Sequence, residues 1–142
     1  MGVSYFNQEG YGDPVPFMAI KAMEQNEKKN MFRPVVYICS PFAGDMDGNT
    51  AKARRYSRFA VDKGAIPIAP HLLLPQFMSE ETERELAMFM NMVLLTKCLE
   101  LWVFGSLVSE GMQAEIDKAK QRNMIIRYFT EELEETDATN NL

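Results

Sequence analysis

One carboxylate is placed to do chemistry. Glu115 closes the segment Ser106-Leu107-Val108-Ser109-Glu110-Gly111-Met112-Gln113-Ala114-Glu115, which follows an apolar run ending at Gly105. Ser109 is a natural helix N-cap, because its hydroxyl can accept a free N–H of the first turn. Gly111 costs a helix about 0.5–1 kcal/mol relative to alanine, so a close approach at that point is expected. Glu115 lies three residues after Met112 and one before Ile116, on the border of the buried face and within two turns of the helix's positive end. A carboxylate half-desolvated there yet still ionised suits a nucleophile. On the residues alone a second reading stays open: a boundary glutamate that reaches out to solvent. Glu110, five residues earlier, is expected to be exposed.

Two other loops carry candidates. Ser40-Pro41-Phe42-Ala43-Gly44-Asp45 precedes a helix, and small residues before a helix N-terminus can hold an anion through backbone N–H groups. The equal alternative is a plain strand-to-helix turn with Asn49 as N-cap. The segment fits neither the dinucleotide nor the Walker fingerprint. The only histidine, His71, stands between Pro70 and three leucines. It reads either as a structural hydrogen bonder or as a catalyst, and a single His without nearby ligand partners argues against a metal site. Lys52, Arg54, Arg55 and Arg58 form a basic cluster: either a solvated helix face or a docking surface for a substrate phosphate.

These residues need elements to hold them. Pro34 opens Val35–Cys39, β-branched and almost wholly apolar, the pattern of a strand buried on both faces of a parallel sheet. Asn49–Lys63 has helical spacing, and Gly64 is a good stop. Ala65–Ala69 is a second strand, with prolines suited to an edge. His71–Pro75 reads as a loop. Ser79 can cap a helix running to about Lys97, with Glu80, Glu81, Glu83 and Glu85 crowding its first turns. Leu99–Gly105 is the third strand, Ser109–Gln121 the next helix and Met124–Phe129 the last strand. Strand and helix alternate with short links, which indicates an α/β fold with a mainly parallel sheet and right-handed crossovers. Ligands in such folds bind beyond the carboxyl ends of the strands, where all three loops lie. Before this core, residues 1–32 read as an arm with a short amphipathic helix over Val15–Lys29. After it, residues 131–142 read as an acidic, disordered tail.

Composition narrows the function classes. Of 20 Asp+Glu in the 142 residues, five fall in the last twelve, leaving 15 acids against 15 Lys+Arg in the body. A neutral body argues against nucleic acid as partner, since such domains carry a basic balance or stripe. Cys39 and Cys98 both sit in largely apolar runs, as buried thiols of a cytoplasmic protein would. Neither has a His or second Cys at zinc-ligand spacing, and nothing calls for a metal or cofactor. No run of 18 apolar residues suits a membrane span. Leu86–Leu95 is apolar nearly all round, so it needs burial on more than one side. A homo-oligomer, dimer or tetramer, supplies the second surface.

The motifs Val36–Asp45, Gly64–Phe77, Glu100–Gly105 and Ser109–Met112 with Glu115-Ile116 resemble an uncharacterised-domain family of the nucleoside 2-deoxyribosyltransferase superfamily. The resemblance covers about residues 33–130. It implies a flavodoxin-like (Rossmann-like) sheet with helices on both faces, and cleavage or transfer of the N-glycosidic bond of a (deoxy)nucleoside or nucleoside 5′-monophosphate. Relatives use a glutamate nucleophile in a Ser-x-Gly-x-x-x-Glu arrangement, which Ser109, Gly111 and Glu115 match, with Met112 inside the motif. Glu115 thereby inherits the nucleophile role and Ser109 a phosphate contact. Tyr37, Ser40, Phe42, Gly44 and Asp45 match the region lining the substrate pocket, and Asn49 and His71 join them by position. Relatives place an Asp where Asn91 stands, and many have an Asp where this chain has Leu99. Those departures keep a second function open, a nucleotide-binding or sensing module without turnover.

Overall fold

The structure, a computed structural model, describes residues 32–137 together with Ala19, Lys21 and Met23. The chain divides into two units, Met1–Arg33 and Pro34–Leu142. In the first, Ala19, Lys21 and Met23 have helical backbone, and the rest of the expected arm helix lies outside the described residues. The second unit carries the fold.

Its elements run β1 (Val35–Cys39), α1 (Met46–Asp62), β2 (Ile66–Ile68), α2 (Pro70–Leu73), a 3₁₀ turn (Leu74–Gln76), α3 (Arg84–Thr96), β3 (Glu100–Phe104), α4 (Glu110–Gln121), β4 (Ile125–Phe129) and β5 (Glu135–Thr136). The sheet order is β2-β1-β3-β4-β5. The first four strands are parallel and β5 is antiparallel to β4. This is the flavodoxin-like α/β arrangement. The chain leaves β1 toward one edge and returns to β3 on the other side, so the switch point lies between β1 and β3, where such folds take ligands.

Strand periodicity divides the core in two. Tyr37 and Cys39 of β1 and Leu101 and Val103 of β3 face Leu95 of α3 and Met112, Ile116 and Ala119 of α4. Val36, Ile38, Trp102 and Phe104 point the other way, toward Tyr56 and Ala60 of α1. Alternate residues of one strand thus serve opposite layers, which is why β1 and, after Glu100, β3 are largely apolar. The second layer is largely aromatic. Tyr56 stacks on Phe104 with centroids 4.2 Å apart, Phe104 stacks on Phe129 at 5.0 Å, and Phe59 meets Phe129 edge-on at 5.2 Å.

Several boundaries differ from expectation, each for a local reason. Helix α1 begins at Met46 because Asp45, not Asn49, is its N-cap, accepting the Gly48 N–H at 3.1 Å. It ends as expected at Gly64, whose φ of +89° suits a residue without Cβ. The segment read as a loop after β2 is short helix and 3₁₀ turn, started by Pro70 and continued by Pro75, each at the first turn where a missing N–H costs nothing. Ser79 does not cap α3. It closes a separate turn, its hydroxyl accepting from Thr82 N–H and its own N–H donating to the Glu83 carboxylate at 2.9 Å. Helix α3 therefore starts only at Arg84, with Glu85 as the one acid in its first turn.

Residues 131–137, expected to be part of a disordered tail, are ordered and hold all five of its acids, and the rest of that segment lies outside the described residues. Residues 131–137 turn back through Thr130, whose N–H donates to Glu134 O at 2.8 Å, and β5 pairs with β4. Charge holds this hairpin. Glu135 takes two hydrogen bonds from Arg127 at 2.7 and 2.8 Å, Glu131 pairs with Lys52 at 2.7 Å, and Arg55 donates to the Glu131 carbonyl. The basic cluster on α1 is thus partly a dock for the chain's own hairpin, while Arg58 pairs with Asp62 at 2.8 Å. Helix α3 buries Asn91 and Leu95 but leaves Leu86, Phe89 and Val93 exposed, spaced i, i+3, i+7 along one side. No helix among the described residues is long and apolar enough to cross a membrane.

Phe104 is fully buried and joins two of the stacks. Phe104→Ala should therefore lower unfolding free energy by about 3–5 kcal/mol, read from the urea midpoint. A loss under about 1 kcal/mol would contradict this packing.

Candidate functional site

The switch point holds a cavity of about 150 Å³, comparable to one that accommodates a single benzene-sized ring. Its walls come from the β1–α1 loop, α2 with the 3₁₀ turn, one side of α3, and the start of α4.

Glu115 sits in this wall and does not reach out to solvent: it is 4% exposed. Its first oxygen, Oε2, accepts a hydrogen bond from the Tyr37 hydroxyl. Its second, Oε1, is buried with no protein partner. Burial raises the carboxyl from 4.5 to about 7, and the Tyr37 hydrogen bond, then the Cys39 thiol nearby, oppose part of that rise. Tyr37 and Cys39 are themselves pushed up, first by burial and then by the Glu115 charge. The arrangement follows from the strand pattern. Tyr37 and Cys39 share the face of β1 that meets α4, and Glu115 lies one residue from Ile116 on the packed side of that helix.

Two further polar atoms in the same wall are buried without protein partners, Ser40 Oγ and Asn91 Oδ1. Each buried unmet group costs about 1–3 kcal/mol, and three of them around one cavity leave their hydrogen-bonding capacity open to whatever enters it. Ser40 also fixes His71: the ring's Nε2 donates to the Ser40 carbonyl at 3.1 Å, leaving Nδ1 as acceptor. Burial lowers the His71 pKa, with the Ser40 bond opposing, and the ring stacks on Phe42 at 5.0 Å. Ser109 caps α4, accepting the Met112 N–H at 3.2 Å. A Cβ placed on Gly111 would meet nothing within 4 Å; the glycine borders the cavity rather than a close protein neighbour.

The expected site residues therefore divide. Ser40, Phe42, His71, Asn91, Ser109, Gly111, Met112 and Glu115 line the cavity. Tyr37 stands behind it and holds Glu115. Gly44, Asp45 and Asn49 are not in the lining and shape the loop instead. Gly44 has φ of +95°, a value that excludes most side chains. Asn49 is buried, and its Nδ2 donates to the carbonyls of Phe42 at 3.1 Å and Ala43 at 3.2 Å. The Asp45 carboxylate already sits at the N-terminus of α1, where it competes with any anion. Leu99 has no bearing on the site. Its N–H donates to Val35 O at 2.8 Å, at the amino ends of β1 and β3, and the cavity lies at their carboxyl ends.

Sequence reasoning named only Asn91 on the α3 side of the cavity. Arg84, Ala87, Met88, Asn91 and Met92 all line it, a stripe at three- and four-residue steps along one helix. Arg84 is the one cation in the lining, ion-paired with Glu80 at 3.2 Å. The signal was present as a polar residue, Asn91, at helical spacing from a lone basic residue in an otherwise apolar helix.

The fold and cavity define a flavodoxin-like α/β protein with a buried carboxylate at the switch point. The chain belongs to the family described as a domain of unknown function (DUF7768), which matches residues 34–129. No curated protein matches it.

The raised carboxyl ties stability to pH. Between about pH 4.5 and 7 the folded chain keeps a proton on Glu115 that the unfolded chain has released. This group's contribution to stability therefore falls as pH rises through that window, by about 3 kcal/mol in total. Glu115→Gln should flatten that slope and be the more stable protein at pH 8. Urea unfolding at pH 5 and pH 8 measures it; an unchanged slope in the variant would contradict the assignment.

Proposed function

We propose that the protein cleaves or transfers the N-glycosidic bond of a nucleoside or nucleotide, in the manner of nucleoside 2-deoxyribosyltransferases, with Glu115 as nucleophile. The observation that carries the reading is the divided state of this carboxylate. One oxygen is held by Tyr37, and the other lacks a protein partner in the wall of a cavity sized for one ring. The Ser-x-Gly-x-x-x-Glu spacing of Ser109, Gly111 and Glu115 supports it.

In this mechanism Oε1 attacks the anomeric carbon as the bond to the base breaks, through an oxocarbenium-like state. The resulting glycosyl ester is resolved by water or by a second base, as in retaining glycosidases. Tyr37 orients the carboxylate. Ser40 and Asn91, with buried polar atoms free for a ligand, bind sugar hydroxyls or base edges. Met88, Met92 and Leu74 supply apolar walls. Free buried thiols at Cys39 and Cys98 support a cytoplasmic setting. The exposed Leu86, Phe89 and Val93 of α3 support self-association through a second copy of that helix. A molar mass by light scattering that stays monomeric at all concentrations would overturn the association.

The nucleophile must be ionised, so activity should rise with pH through about 7. Base release from nucleosides and their 5′-monophosphates, followed by chromatography, tests the proposal. Wild type should release base, and Glu115→Ala should lose at least about a hundredfold in rate. Undiminished release by the variant would sink it. Tight binding without release would favour the sensing module, for which the absence of an acid at Asn91 is the supporting observation.

A further inference from the structure

We infer that the substrate's base is already a cation when it binds, an N-alkylated purinium, so that it departs without needing a proton. The inference rests on the nucleophile reading of Glu115 and concerns what leaves.

A neutral base that departs with the bonding electron pair becomes an anion, and enzymes avoid this by donating a proton to it. Among the described residues, no buried acid other than Glu115 lines the cavity to do so. The Tyr37 hydroxyl is given to Glu115. The His71 Nε2 proton is given to the Ser40 carbonyl, and burial keeps the ring neutral. Asn91 stands in the wall as an amide, which is no acid. Arg84 does not release protons. Of the two remaining acids of the lining, Glu110 is exposed, at the first residue of α4, and Glu80 is ion-paired with Arg84 at 3.2 Å. An ionic leaving group removes the need.

The charge balance agrees. Three carboxyl groups, Glu80, Glu110 and Glu115, face one guanidinium, Arg84. Such a lining attracts a cationic ring, and the apolar walls of Met88 and Met92 accept its face. The step balances without a donor. The Oε1 lone pair forms the bond to the anomeric carbon. The carbon–nitrogen pair returns to the ring, which leaves neutral. Water then attacks the anomeric carbon, the ester pair returns to Glu115, and one proton passes to solvent.

The test compares substrates that differ by one methyl group. Base release is measured for 7-methylguanosine and 7-methyl-2′-deoxyguanosine against guanosine and 2′-deoxyguanosine, using the full chain, Glu115→Gln and Asn91→Asp. Wild type should cleave the methylated, cationic member of a pair at least about a hundredfold faster, the lower end of what a missing general acid costs. Asn91→Asp, which supplies an acid, should narrow that gap at least about tenfold. Equal rates for both members, abolished in Glu115→Gln, would overturn this inference and leave the nucleophile reading intact. Release that persists in Glu115→Gln would overturn the nucleophile reading, and no release from any of the four would overturn both.

Discussion

The hydrogen bond from Tyr37 to Glu115 sets the terms for the rest of the molecule. It joins β1 to α4 across 78 residues of sequence, in the packed layer between sheet and helix. A carboxylate survives there only with a donor, because an unpaired buried charge would cost several kcal/mol. Tyr37 is that donor, and it can serve only because β1 directs its odd-numbered residues toward α4. A one-residue slip in the β1–β3 register, which now pairs Tyr37 with Leu101, would turn the hydroxyl to the aromatic layer. The two layers therefore have different work. The one holding Tyr56, Trp102, Phe104 and Phe129 is apolar and stacked, and fixes the sheet. The other accepts a polar defect and places it at the switch point.

Charge is used separately from this core. Two of the five acids after Phe129 have particular partners: Glu135 pairs with Arg127, and Glu131 with Lys52. Arg127 also lies over the Trp102 ring, 4.7 Å from its centroid, so one guanidinium ties the edge strand to the aromatic layer. Exposed pairs of this kind add little stability one by one. Their effect is to choose where the last strand pairs, and they do so on the α1 side, away from the cavity.

Much of this was legible in the residues. The double-sided apolar strands, the alternation of strand and helix and the stop at Gly64 all follow from local pattern, and the pattern alone points to the carboxyl ends of the strands. Glu115 was legible as a boundary residue, yet periodicity could not say whether its side chain turned in or out. That depended on Tyr37, a partner no local window contains. The same limit explains Asn49, which read as a cap and is instead a clamp on two carbonyls of its own loop. Apart from Asn91, the α3 side of the cavity was hidden for a different reason. A helix apolar nearly all round carries almost no directional signal, so which side met the cavity was decided by tertiary packing. The terminal acids misled because net charge counts residues and not partners.

The same carboxylate links stability to use. Glu115 weakens the fold as pH rises, and Ser40 and Asn91 each add a buried polar atom without a protein partner. Natural chains keep few such groups, and apolar replacements of similar size at 40 and 91 would pack this cavity more favourably. Their concentration on one wall, beside a helix N-terminus and under a ring-sized space, is therefore hard to account for as structure. The loop facing them shows the opposite economy. Past Ser40, Asn49 and Asp45 satisfy hydrogen bonds of this loop within the chain, and Gly44 turns it with a positive φ. The polar atoms that the chain leaves unmet are those of the cavity lining, where Glu115 lies. That distribution, more than any single residue type, distinguishes a site from a packing fault.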